Sequence, residues 1–196
     1  MKKIAMSLML ASLVLVSCKD DKKKLDSEEA TDTEVVEEVE EVEEMEVKKV
    51  TMTLASKSGS SATGTVTFTE QEGVVAMEAT LSGLTPGTHA IHIHEKADCT
   101  AEDGTSSGGH WNPTFAPHGK WGAEEGFHKG DIGNVEADEN GNASIAMKTD
   151  EWCIGCGDEN KDILGKAIIV HQGTDDYTTQ PTGAAGARVS CGGIIE

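Results

Sequence analysis

The chain has 196 residues, 35 acidic against 16 basic side chains, and a formal net charge of −19. That balance repels polyanions and excludes nucleic acid as a partner. Aromatic residues make up only 4% of the chain, so any core must rest on Val, Ile, Leu, Ala and Met.

Residues 1–17 read as a secretion signal, with a basic start at Lys2 and Lys3 and an apolar stretch from Ile4 to Val16 that is short for a membrane span. The stretch ends Leu15-Val16-Ser17-Cys18, which resembles a bacterial lipoprotein cleavage site. Cys18 then becomes a lipidated N-terminus, and an ordinary signal with an incidental cysteine is the competing reading. Several acyl chains at about 0.8 kcal/mol per buried methylene anchor stably to a membrane. Lys19-Asp20-Asp21 resembles a surface-export tag of some Gram-negative lipoproteins. The expected address is the bacterial cell envelope, lipid-anchored at the outer membrane, on its periplasmic or its surface face.

Residues 18–49 are charged and low in complexity. Val36, Val39 and Val42 recur every three residues, which drifts around a helix and gives no steady apolar stripe. A disordered or partly helical acidic tether is expected rather than a domain.

Residues 50–196 are expected to form one domain. Strand-like runs recur at Val50–Ala55, Gly64–Glu70, Val74–Leu81, Thr88–His94, Gly133–Ala137, Ala143–Met147, Lys166–His171 and Arg188–Ile194, and turns such as Leu84-Thr85-Pro86-Gly87 and Glu139-Asn140-Gly141 separate many of them. Eight short strands with two long functional loops predict an all-β, antiparallel Greek-key barrel or sandwich.

Six of the seven histidines, with one aspartate, fall at spacings that can build two adjacent metal sites. His92 and His94 alternate with Ile91 and Ile93, so on a strand both imidazoles share one face. His110, His118, His128 and Asp131 lie in a Gly-, Pro- and Asn-rich stretch. A loop this long in a compact domain is functional or disordered. Three imidazoles and a carboxylate match the tetrahedral N/O preference of zinc. His171 ends the apolar run Ala167-Ile168-Ile169-Val170. With His92, His94 and His110 it makes a four-imidazole set, which suits copper(II).

These residues, taken with Gly83-Leu84-Thr85-Pro86-Gly87, His89-Ala90-Ile91-His92-Ile93-His94-Glu95, Gly109-His110-Trp111-Asn112-Pro113, His128-Lys129-Gly130-Asp131-Ile132-Gly133-Asn134, Ile169-Val170-His171 and Gly183-Ala184-Ala185-Gly186-Ala187-Arg188-Val189-Ser190-Cys191-Gly192, resemble the bacterial copper/zinc superoxide dismutases from about Val50 to the C-terminus. The resemblance implies an enzyme that dismutes superoxide to dioxygen and hydrogen peroxide by alternating reduction and reoxidation of copper. It implies one copper per subunit at His92, His94, His110 and His171, and one zinc at His110, His118, His128 and Asp131. His110 is then a bridging imidazolate that also carries a proton, and Arg188 docks the anion above the copper. Asp175 matches a carboxylate linking a copper histidine to a zinc histidine, with Asp176 as the competing candidate. His89 matches a histidine that bonds backbone near the site without binding metal. Thr182 matches a position that narrows the channel. Cys99 and Cys191 match the family disulfide.

There are departures. Ala90 and Ala97 stand where the family more often has glycine. The 173–187 loop has no charge apart from Asp175 and Asp176, so steering of superoxide falls to Arg188, the metals, or lysines elsewhere such as Lys96, Lys120 and Lys129. Cys153-Ile154-Gly155-Cys156 is not a standard family feature; a small structural disulfide, a metal-delivery or redox pair, and two separate thiols are its three readings. A copper- and zinc-holding storage or delivery protein on the same fold is the alternative to the enzyme. Relatives pair through different surfaces, so a homodimer is left open.

Overall fold

The computed structural model describes residues 46–196. The expected signal, Cys18 and the tether as far as residue 45 lie outside the described residues. Eight strands follow in order: β1 (Lys48–Ser56), β2 (Thr63–Gln71), β3 (Val74–Ser82), β4 (Gly87–His94), β5 (Gly133–Ala137), β6 (Ala143–Thr149), β7 (Ala167–His171) and β8 (Arg188–Gly193). They form one sheet in the order β5-β4-β7-β8-β1-β2-β3-β6. Every pairing is antiparallel. The two end strands, β5 and β6, approach each other and nearly close the sheet into a barrel. Among the described residues no helix is long and apolar enough to cross a membrane.

The strand ends lie within two residues of those expected. The largest differences include the start of β1, which takes in Lys48 and Lys49 from the end of the expected tether. They pair with Glu70 and Thr69 of β2, and Lys48 Nζ donates to the Ile154 carbonyl at 3.0 Å. A ladder end can be highly charged when its charges have partners across the sheet.

β1, β2 and β3 alternate as period-2 strands must. Val50, Met52, Leu54, Val66, Phe68, Val75, Met77, Ala79 and Leu81 point inward, and threonines such as Thr51 and Thr53 point out. β4 and β7 differ, because almost every residue in them is buried. Their inner faces meet the core, and their outer faces lie under the long loops 95–132 and 172–187. The core is mostly aliphatic, as expected from the composition, with Phe68, Trp111 and Trp152 added. A third long connection, 150–166, runs from β6 to β7, and buried Trp152, Ile154 and Ile163 pin it to the core.

Candidate metal centre

β4 presents His92 and His94 on its outer face, opposite the core residues Ile91 and Ile93. β7 runs antiparallel beside it, pairing Ile91 with Val170 and His92 with Ile169. The ladder carries His171 to the same end as His92. A register shift between Val170 and His171 sets that histidine opposite Arg188 of β8. His110 arrives through an isolated bridge to His94. Trp111, next to it, donates its backbone N–H to the Ile93 carbonyl at 2.8 Å, and Ile93 N–H donates to the Gly130 carbonyl at 2.9 Å. At Gly130 a Cβ would overlap the Ile93 carbonyl, so the loop that carries His128 and Asp131 can lie against β4 only because this residue is glycine.

The result is two buried clusters that share one residue. His92, His94, His110 and His171 offer nitrogens within 4.8 Å of one another, and so do His110, His118 and His128 with an oxygen of Asp131. The surroundings choose which nitrogen each imidazole offers. His92 Nε2–H donates to Asp175 Oδ2 at 2.8 Å and His118 Nε2–H to Asp175 Oδ1 at 2.9 Å. His94 Nδ1–H donates to the Gly108 carbonyl at 3.0 Å and His171 Nδ1–H to the Gly186 carbonyl at 3.2 Å. In each ring the other nitrogen turns inward, toward the remaining members of its cluster.

The donors fit metal ions. His92 Nδ1, His110 Nε2, His118 Nδ1 and His128 Nδ1 are buried and have no hydrogen-bond partner. Buried polar atoms are seldom left that way, because desolvation without a partner costs about 1–3 kcal/mol each. His118 Nδ1 is 3.0 Å from Asp131 Oδ2 and His128 Nδ1 is 3.2 Å from Asp131 Oδ1, yet neither makes a hydrogen bond there. We read these contacts as edges of a coordination shell: ligands about 2.0 Å from a tetrahedral ion lie about 3.3 Å apart.

Protonation points the same way. Burial lowers His110 to about 4 and His171 to about 3, and it lowers His94 as well, so these rings are neutral ligands at pH 7. His118 is pulled down by burial, but Asp131 and Asp175 beside it outweigh that and raise it to about 9. A cation on Nδ1 would take that proton's place. Burial alone would raise Asp131 and Asp175, yet their histidine partners hold both well below the usual carboxylate range.

The family profile described as "Copper/zinc superoxide dismutase (SODC)" matches residues 62–194. The chain belongs to the copper/zinc superoxide dismutase family. It is 34% identical over 146 residues to the extracellular superoxide dismutase [Cu-Zn] of Caenorhabditis elegans, covering 71% of this chain and 64% of that protein. It is 39% identical over 135 residues to the superoxide dismutase [Cu-Zn] of Caulobacter vibrioides, covering 67% of this chain and 77% of that one. The chain thus spans just under two thirds of the nematode protein's length. Among solved structures, a SOD-like protein from Bacillus subtilis aligns with a TM-score of 0.66 at 31% identity, covering 74% of this chain and 97% of that one. Copper and zinc are the metals of the family.

The remaining expected residues make the following contacts. Arg188 Nη1 donates to the Gly104 carbonyl at 2.8 Å and to Ser107 Oγ at 3.0 Å, and Nη2 donates to the Gly108 carbonyl at 2.7 Å. Cys99 and Cys191 are bonded across a separation of 92 residues, and Cys153 is bonded to Cys156. His89 Nδ1–H donates to the His171 carbonyl at 2.8 Å, and Thr85 Oγ1 lies 3.2 Å from its Nε2. Asp175 is buried between the clusters, whereas Asp176 is exposed and caps the N–H groups of Thr178 and Thr179. Thr182 is half-buried in the loop. Neither Ala90 nor Ala97 displaces a histidine: Ala90 N–H donates to Gly173 and Ala97 N–H to Gly165.

Two sets of residues were not foreseen. Lys129, expected among the steering lysines, is paired with Glu151, whereas Lys57 donates to the Cys99 carbonyl beside the Arg188 side chain. The others hold the loops. Asn134 grips Asp175 through both of its backbone polar groups, accepting from its N–H at 2.8 Å and donating to its carbonyl at 2.9 Å. Gln180 does the same for His118, at 2.8 Å each way. Gly183, at φ 66, faces Asp175 and His118 so closely that a Cβ there would overlap the carboxylate. Asn134 closes the run that begins at His128, so its place in that segment was a signal; nothing local marks Gln180.

Proposed function

We propose that this chain is an envelope enzyme that dismutes superoxide to dioxygen and hydrogen peroxide, holding copper at His92, His94, His110 and His171 and zinc at His110, His118, His128 and Asp131. The observation that carries the reading is His110, the one residue common to the two four-donor clusters, with Nδ1 2.9 Å from Asp131 Oδ1 and Nε2 buried without a partner. When bound, copper supplies the one-electron exchange that both half-reactions require, and zinc, which has no redox chemistry, supplies fixed positive charge.

The rest is the work of the chain. Nδ1 of His110 lies 2.9 Å from Asp131 Oδ1, which fixes the ring and leaves Nε2 as the atom that can hold a proton and pass it to the nascent peroxide. Asp175 orients His92 and His118 from a single carboxylate, so it ties the two clusters together as a supporting ligand partner does. Arg188 keeps its charge, its backbone pairs with that of His171, and three hydrogen bonds to the 104–108 segment hold its guanidinium rigid, where a small anion can dock on it. Its local field must outweigh the repulsion of an anion by a chain of charge −19.

The envelope part of the reading rests on residues 1–49: signal 1–17, lipid on Cys18, acidic tether 18–49, then the domain. One relative is named as extracellular, which agrees with export. Fatty-acid labelling of the chain, lost in Cys18→Ser, tests the anchor; equal labelling of the two would sink it. For the activity, superoxide decay is followed by stopped flow with copper plus zinc or with zinc alone. Rapid decay is expected only with copper present. Tight stoichiometric metal binding without turnover would overturn the reading in favour of metal storage or delivery on the same fold.

A further inference from the structure

The 150–166 connection carries chemistry that the metal centre does not use. Its Cys153–Cys156 bond is presented asymmetrically. Cys153 is buried, with Ile154 next to it in the core, whereas Gly155, Cys156 and Gly157 are exposed. The backbone N–H of Asp158 donates to Cys156 Sγ at 3.4 Å, a contact that favours the thiolate form. The other disulfide is sheltered by comparison: Cys191 is 1% exposed, and half-buried Cys99 packs with it against Ala167 and Ile169.

The same segment supports the 118–131 loop. Trp152, immediately before Cys153, is 1% exposed. Its Nε1–H donates at 2.8 Å to the carbonyl of Lys129, which lies between His128 and Asp131. Trp121 packs edge-on against Trp152, and Phe127 packs against Trp121. Glu151 pairs with Lys129 itself. Cys153 is held in turn by the backbone of Lys161 and Ile163. The disulfide therefore has one sulfur at the surface and the other covalently next to the residue on which the loop leans.

We infer that Cys153–Cys156 is a dithiol–disulfide exchange site, and that its opening loosens the hold of Trp152 on residues 118–131. The consequence for zinc rests on the metal assignment above. A thiolate of an external dithiol attacks the exposed Cys156 sulfur. The Cys153–Cys156 bond breaks, and Cys153 leaves as a thiolate that takes up a proton. The second thiol of the dithiol then displaces Cys156. The protein gains two electrons and two protons, and the dithiol ends as its own disulfide.

The test uses the copper- and zinc-loaded protein in graded dithiothreitol. Free thiols are trapped by alkylation and mapped by mass spectrometry, while hydrogen exchange across 118–131 and zinc release to a chromogenic chelator are read in the same samples. Cys153 and Cys156 are expected to be trapped about tenfold faster than Cys99 and Cys191, with exchange and zinc release rising in step. The double variant Cys153→Ser, Cys156→Ser is expected to match the reduced protein without any dithiol. Trp152→Phe, which keeps an aromatic ring but loses the indole N–H, is expected to show raised exchange that no longer responds to reduction. Opening of Cys99–Cys191 first or at the same rate would overturn the inference, as would selective opening with exchange across 118–131 unchanged. A protein that holds no zinc before reduction would refute the metal assignment instead, while hydrogen exchange would still decide the coupling.

Discussion

Two disulfides tie down different loops around the histidine cluster, over very different lengths of chain. Cys99–Cys191 joins the loop after β4 to β8 across a separation of 92 residues. The carbonyls of Gly104 and Gly108 that hold Arg188 belong to that loop, and Arg188 begins the strand that contains Cys191. Cys153–Cys156 spans a separation of 3 and bears on the 118–131 side through Trp152. In the chain-entropy picture a cross-link stabilises by what it denies the unfolded chain, so the long closure is worth about 4–5 kcal/mol and the short one about 2 kcal/mol. The first is built to hold the fold together, the second to hold a local shape whose opening reaches the rest through Trp152.

The largest effect expected is on the long bond. Cys99→Ser with Cys191→Ser should lower unfolding free energy by about 4–5 kcal/mol, against about 2 kcal/mol for Cys153→Ser with Cys156→Ser. Denaturant titration of the metal-loaded proteins reads both. Equal losses would erase the distinction between them. The first pair should also depress turnover, because the 104–108 segment that aims Arg188 loses its tie.

Arg188 isolates that catalytic share from stability. Truncation in Arg188→Ala removes a charged hydrogen-bonding group worth about 1.5–3 kcal/mol, so kcat/KM for superoxide should fall roughly ten- to a hundredfold with metal content little changed, and stability should fall by less than in the long cysteine pair. If stability falls as far as in the cysteine pair, the arginine is a structural member of the loop and the docking role fails. Between the two sides stands Asp175, which touches both clusters. Asp175→Asn cannot accept from His92 and His118 at once without turning its amide nitrogen toward one of them. Outer partners of metal ligands typically matter about 10–100-fold in affinity, and competition titration should show losses of that order for copper, zinc or both. Unchanged affinity for both metals would mean that the two clusters do not depend on their shared carboxylate.

The same contrast governs what was legible in the sequence. Period-2 alternation marks β1 to β3 because one face is wet. The apolar runs that mark β7, and the His-x-His alternation of β4, survive burial on both faces because strand geometry still separates Ile91 and Ile93 from His92 and His94. The histidine spacings and the matched cysteines foretold which residues the structure brings together. Sequence alone favoured Asp175 and kept Asp176 as the competing candidate, since both are aspartates in the same turn. Only packing separates them: one is buried against Asn134 and two imidazoles, the other caps threonines in solvent. Lys129 looked like a free cation because its partner Glu151 is 22 residues away in sequence. Gln180 and Trp152 reach the 118–131 loop from 62 and 23 residues away, and such contacts leave no local pattern to read.

Trp152 therefore offers the smallest and sharpest test. Phenylalanine at this position keeps the edge-to-face contacts with Phe68 and Trp121 in kind, and deletes the single hydrogen bond to the Lys129 carbonyl. A neutral hydrogen bond contributes about 1 kcal/mol net and the smaller ring leaves a small cavity worth about as much again, so Trp152→Phe should cost about 2 kcal/mol of global stability, well below the long cysteine pair. The loss should fall where the bond ends, between His128 and Asp131. Zinc dissociation should quicken about fivefold, the kinetic equivalent of about 1 kcal/mol, while copper retention by His92, His94 and His171 stays near that of the parent. Those three histidines hang from β4 and β7, whose ladder does not pass through the 150–166 connection. Equal loosening of both metals would show that the aromatic cluster supports the barrel as a whole, and the short disulfide would then have no privileged line to the zinc side.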